Sequence, residues 1–273
     1  VLFPIYTGKD HDMTPRWPER LWIVRHGESA GNVARDLAYQ QGLARIDLTG
    51  RDVDVPLSGL DQQQARALGH WFAEGREEGR PNVVLSSPYQ RAQATARLFR
   101  EAGGCPADTR IHLDERLREK EFGVLDGLTG IGIRAEFPQQ AELRASIGKF
   151  YHRPPGGESW ADVILRLRGA LDTISLHHAD RRVLIVCHQV VVLCLRYILE
   201  ELDEERILAI DDLAVGWDAI TGPDEHHLAD LQARRRNLAG DLPVDHESGS
   251  WHECCQRLDA GPGRARRNTL QEL

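Results

Sequence analysis

The run Leu21-Trp22-Ile23-Val24-Arg25-His26-Gly27-Glu28-Ser29-Ala30-Gly31-Asn32 decides how the rest of the chain is read. Its first four residues are apolar without alternation, the pattern of a strand buried on both faces of a sheet. Such a strand would deliver Arg25 and His26 at its carboxyl end, where open α/β sheets bind ligands. Gly27 and Gly31 allow backbone N–H groups to approach an anion closely, and Asn32 adds a side-chain donor. The combination suits a phosphate group.

Working outward, the same arrangement recurs twice. Val83-Val84-Leu85 is a second buried strand, and Ser86-Ser87-Pro88 leads from it into a helix carrying Arg91, with Ser87 expected as N-cap and Pro88 at the first helical position. Val183-Leu184-Ile185-Val186-Cys187 is the most apolar strand of all and delivers His188 at its end, followed by Gln189. The helix from Val190 to Leu199 begins there, so its unpaired N–H groups and positive dipole end can favour a phosphate. Between these strands lie a helix capped by Ser58, a short strand at Ile111-His112-Leu113, the charged run Asp114 to Glu121, and a long amphipathic helix capped by Ser159. Apolar strands alternating with amphipathic helices predict an α/β three-layer sandwich, with a mostly parallel central sheet and helices on both faces. One more strand is expected around Val215 to Ile220.

Composition narrows the function. With 273 residues, 41% of them hydrophobic, the chain can hold one large domain or two small ones. A formal net charge of -8 disfavours a general nucleic-acid binder. No apolar run approaches the roughly 20 residues of a membrane span, and the first residues lack the pattern of a signal peptide. A cytoplasmic protein with no membrane partner is expected. The five cysteines are an odd number without metal-ligand spacing, which fits reduced thiols acting as small hydrophobes.

The segments Arg25-His26-Gly27-Glu28 with Asn32, Ser86-Ser87-Pro88-x-x-Arg91-Ala92-x-x-Thr95-Ala96, Leu117-x-Glu119-x-x-Phe122-Gly123 and Cys187-His188-Gln189 occur in the order of the histidine phosphatase superfamily, the phosphoglycerate mutase-like enzymes, which this chain resembles over roughly Leu21 to Leu199. The second half, from Gly157-Glu158-Ser159 to Gln189, is most similar to fructose-2,6-bisphosphatase domains. Leu193 and Gly156 depart from that subgroup, which commonly has an arginine and a lysine there, so fructose 2,6-bisphosphate does not follow as the substrate. Asp61 stands where the superfamily usually has glycine.

The resemblance implies a phosphomonoester hydrolase of small phosphorylated metabolites, independent of metal and cofactor. His26 would be the nucleophile that forms a phosphohistidine, and Glu119 the general acid and base. His188 would assist, best when protonated. Arg25, Asn32, Arg91 and Gln189 would bind the phosphate. A phosphoglycerate-type mutase uses the same site, and a phosphate-binding or scaffold protein without turnover is the non-enzymatic alternative. Residues 1–12 read as a leader and 13–236 as the catalytic domain. An insertion at 128–157 reads as a lid or a plain surface connection, with Tyr151 and Arg153 as specificity residues if it covers the pocket. Residues 237–273 read as a flexible or packing tail, and an oligomer remains open.

Overall fold

Strand β4, Arg182–Cys187, is the centre of the molecule because it is apolar at every position from Val183 to Cys187 and can be covered on both sides. A computed structural model describes residues 17–27, 29–48, 50–75 and 79–214, with side chains described through Asp211. β4 pairs in parallel with β1, Arg20–Arg25, on one side and with β2, Val83–Ser86, on the other. A short β3, Ile111–Leu113, pairs in parallel with β2, which makes the order β1-β4-β2-β3.

Side-chain alternation along β4 builds the three layers. Val183, Ile185 and Cys187 join the core formed by α6, Trp160–His177, and α7, Gln189–Leu199, whereas Leu184 and Val186 join Phe72, Ala96 and Phe99 of α2, Gly59–Glu74, and α3, Gln90–Glu101. Leu167, Ile174, Ile185 and Phe99 are fully buried there, each worth about 1.5–3 kcal/mol of transfer free energy as an upper estimate. Helices cover both faces of the central strands, which leaves their ends open. The site must form at those ends.

Capping fixes several helix starts as the sequence suggests. Ser58 and Ser159 accept from the backbone N–H groups of Asp61 and Asp162, and Ser159 with Asp162 completes a reciprocal capping box. The helix after β2 differs from expectation. It begins at Gln90 with Tyr89 as its N-cap, so Ser87 and Pro88 lie in the preceding turn and Arg91 sits in the first helical turn. The Ser87 hydroxyl accepts from the Tyr89 N–H at 3.3 Å, closing that turn, and also bonds to His188.

Residues 128–157 carry more regular structure than their weak periodicity suggests. They hold α4, Gly130–Glu136, and α5, Pro138–Tyr151, the latter broken at Gly148, whose φ of 83° interrupts the helix. Around residue 207 the chain is helical, α8 spanning Glu204–Ala214. The strand expected at Val215 to Ile220, the leader at 1–12 and the tail at 237–273 lie outside the described residues, as do Cys254 and Cys255. Cys105, Cys187 and Cys194 are buried free thiols.

Candidate active site

Register places the two histidines side by side. Arg25 is level with Cys187 across the β1–β4 pair, and the His26 N–H continues the ladder by donating to the Cys187 carbonyl at 2.9 Å. His26 and His188 therefore leave adjacent strands, their ring centroids 5.0 Å apart at a steep angle. Ser87 leaves the next strand along, its N–H donating to the Val186 carbonyl. Three parallel strands thus end on one chemical cluster.

The hydrogen bonds of His26 assign its ring nitrogens. Nδ1 faces the Gly27 carbonyl oxygen, an acceptor, so Nδ1 carries the hydrogen. Nε2 is then a lone pair, and it accepts from Arg91 Nε–H at 3.1 Å. Burial, followed by the charges of Arg91 and Arg25, drives the His26 pKa well below its ordinary value. His26 is neutral and points a nucleophilic nitrogen at the arginines.

Arg91 is buried and fully engaged. Besides Nε, its two terminal nitrogens donate to both carboxylate oxygens of Asp52 at 3.0 Å, and one also to the Asp52 carbonyl at 2.6 Å. Tyr89 lies beneath the guanidinium, 5.0 Å from ring centroid to its central carbon, and meets the His188 ring edge-on at 4.9 Å. Arg25 is different. Its Nε is buried with no hydrogen-bond partner among the described residues, which leaves a donor available for an anion.

His188 is fully buried, and its Nε2 lies 2.7 Å from the Ser87 hydroxyl. If that hydroxyl donates, Nδ1 carries the hydrogen, and Nδ1 is a second buried polar atom without a partner. Burial, then His26 and Arg91, lower the His188 pKa strongly. These shifts favour the neutral ring, which then has one N–H to offer.

Glu119 is recessed in the segment after β3. Its Oε1 accepts from the Lys120 N–H at 2.9 Å, and the carboxylate also takes the Val190 N–H at the start of α7. Burial raises its pKa, partly offset by those N–H groups and by Arg91. The neighbouring Glu121 has another partner, accepting from the Tyr89 hydroxyl at 3.1 Å. Glu119 is held in place from behind: Glu158 accepts from Arg118, from Arg166 and from the Glu121 N–H, while Arg166 also reaches the Glu119 carbonyl at 3.3 Å. Gly123 is required in this support, because its φ is +57° and a Cβ would stand 2.2 Å from the Pro155 carbonyl oxygen.

Other residues singled out in the sequence are placed less centrally. Asn32 uses its amide oxygen to accept from the N–H and hydroxyl of Ser29 at 2.9 and 2.8 Å, a reciprocal cap of α1, Ala30–Gln40, which leaves its NH₂ group for an anion. Gln189 is the partly buried first residue of α7. Tyr151 bonds through its hydroxyl to Glu204 of α8, and Arg153, with 63% of its side chain exposed, is paired to Asp162 at the start of α6. Neither bonds to the strand-end cluster. Asp61 is buried and accepts from the Ser58 hydroxyl, and it packs so close to Gly27 that a Cβ there would stand 2.6 Å from the Asp61 Cβ. Glu28 lies outside the described residues.

Asp52, Ser87 and Tyr89 belong to this site without having been singled out for it. Only Ser87 had a local signal, its place at a strand end. Asp52 reaches Arg91 across 39 residues of sequence, and Tyr89 presents its ring by virtue of being the N-cap of α3.

Comparison with known proteins identifies the family. Residues 21–221 match the histidine phosphatase superfamily (branch 1). The chain is 29% identical over 243 residues to 6-phosphofructo-2-kinase/fructose-2,6-bisphosphatase of Caenorhabditis elegans, covering 88% of this chain but 45% of that protein. It thus spans less than half the length of that bifunctional relative. It is 30% identical over 227 residues to the probable phosphoglycerate mutase GpmB of Erwinia tasmaniensis, covering 77% of this chain and 95% of the relative. Among solved structures, a mycobacterial glucosyl-3-phosphoglycerate phosphatase superposes with a TM-score of 0.53 at 29% identity, covering 70% of this chain and 83% of the other. The chain belongs to the histidine phosphatase superfamily, branch 1.

Proposed function

We propose that the protein hydrolyses phosphomonoesters of small metabolites through a phosphohistidine on Nε2 of His26. The observation that carries this reading is the tautomer of His26, with Nδ1–H on the Gly27 carbonyl and Nε2 bare beside Arg91. In the first step the Nε2 lone pair attacks phosphorus, the bond to the ester oxygen breaks, and Glu119 gives that oxygen its proton. The ring then carries a positive charge, which the Gly27 carbonyl stabilises through Nδ1–H. Arg25 and Arg91 hold the phosphoryl oxygens with charge-assisted hydrogen bonds, and His188 Nδ1–H and the Asn32 amide can add donors.

In the second step the Glu119 carboxylate takes a proton from water, the resulting nucleophile attacks phosphorus, and the P–N bond breaks. Inorganic phosphate leaves, and His26 and Glu119 return to their starting forms. The raised pKa of Glu119 suits both roles, since the same group must be acid first and base second.

Similarity to a probable phosphoglycerate mutase favours a second reading, in which the phosphoryl group returns to another hydroxyl instead of water. A screen of phosphorylated metabolites, measuring both phosphate release and rearranged product, separates the two. Mass spectrometry of rapidly quenched enzyme should find one phosphoryl group on His26 and none in His26→Ala. Turnover by His26→Ala at the wild-type rate would refute the nucleophile.

A further inference from the structure

At the amino ends of the strands, across the sheet from the catalytic cluster, lies a groove of about 510 Å³. Its walls carry Arg110 and His112 from β3 and the loop before it, His177 and His178 from the end of α6, Arg181 from the turn into β4, and one acid, Asp108. The volume is that of a small-molecule site. In a chain with 42 acidic and 34 basic residues, five basic side chains around one opening is a local reversal of sign.

The five basic side chains make no side-chain hydrogen bond or ion pair with another described residue, so their donors are open to a ligand. We infer that this groove binds a small multiply charged anion, a phosphorylated or polycarboxylate metabolite, independently of the catalytic pocket. Arg110 and Arg181 supply planar donor forks that suit phosphate or carboxylate oxygens. The histidines add ring N–H donors. Burial, and after it His112, His177 and Arg181, lower the His178 pKa, which shows how closely these groups crowd the opening. A metal ion does not suit the groove, since no three of the described His, Cys, Asp and Glu residues are arranged to hold one.

An anion bound at the groove would sit at the start of β2 and β4, where the Asn82 side chain accepts from the Arg182 N–H, one strand length from Ser87 and His188.

The test is titration of the full chain with pyrophosphate, followed by proton–nitrogen NMR of the imidazole rings. Resonances of His112, His177 and His178 report the groove, and those of His26 and His188 report the catalytic pocket, so the two sites are read separately. The groove resonances should shift saturably, with affinity about tenfold weaker in Arg110→Gln/Arg181→Gln and stronger in Asp108→Asn. These residues other than His178 are exposed, so the variants should fold. Groove resonances that do not move, or that move equally in all three proteins, would overturn the inference whatever happens at His26.

Discussion

Arg91 donates to Nε2 of His26 at 3.1 Å while gripping both carboxylate oxygens of Asp52 at 3.0 Å, so one guanidinium serves the proposed nucleophile and an acidic side chain together. A phosphate approaching His26 meets this fork already occupied. Since the Asp52 side chain is 40% exposed, its hold on Arg91 is screened by solvent and can be displaced.

Asp52→Asn tests this competition. The amide keeps an acceptor for Arg91 but removes the negative charge that opposes a dianionic phosphate, so inhibition by orthovanadate should tighten by about three- to tenfold. The inhibition constant measured at neutral pH is the readout. An unchanged or weaker constant would mean that Asp52 orients Arg91 without competing for it.

The pH profile follows from two opposed shifts. The first step needs protonated Glu119 and neutral His26. Burial raises the Glu119 pKa, so kcat/KM should fall with rising pH at a value above the ordinary carboxylate range. The His26 pKa is lowered, chiefly by burial, so the acid limb should appear only well below the ordinary imidazole range. Glu119→Gln should remove the alkaline limb and lower kcat by ~10²-fold or more, while binding of orthovanadate persists. Retention of that limb in the variant would assign it to another group.

Much of this site can be read from local sequence, because its members stand at the ends of continuous apolar strands. Val183 to Cys187 could only be a buried strand, and the residue after it had to emerge where β1 also ends. Arg25, His26 and His188 follow from that pattern alone. Ser87 was misplaced because Ser-Pro before a helical period reads as a cap and first turn. Its hydroxyl does accept from the Tyr89 N–H, but in the turn before the helix, and it also finds a partner 101 residues away. Asp52 is less visible still, since a lone acid in an irregular segment has no period, and its partner is decided by how residues 52–54 pack beside α3. The basic and aromatic residues at 151–153 are ambiguous in the sequence, which fits a lid or a plain surface connection. Their composition suits a lid, yet Tyr151 is tied to α8 and Arg153 to the cap of α6.

Ser87 should act on catalysis through His188. With the hydroxyl donating to Nε2, the hydrogen of His188 is held on Nδ1, which has no partner among the described residues. Ser87→Ala should lower kcat by about tenfold, and the ring nitrogen shifts of His188 should show a mixture of tautomers. Ser87→Thr keeps the hydroxyl and should restore both. Loss of activity with an unchanged His188 spectrum would indicate a packing defect in place of a positioning role.

The brace behind Glu119 links stability to pH. Burial pushes the Glu158 carboxyl up, but the hydrogen bonds and charge of Arg166, the Glu121 N–H and Arg118 outweigh it, and the net shift is downward. A carboxylate whose folded pKa lies below its unfolded value contributes its full stabilisation above the unfolded pKa and loses it as pH falls through the folded one. Glu158→Gln leaves Arg166 partly buried without its counter-charge and should destabilise the protein by about 1–3 kcal/mol at pH 7. The difference from wild type in denaturant unfolding should shrink steadily below the ordinary carboxylate range. Because Arg166 also holds the Glu119 carbonyl at 3.3 Å, kcat should fall in the variant more than orthovanadate affinity does. A stability difference that stays constant down to the acid transition would show that Glu158 acts through packing and not through its charge.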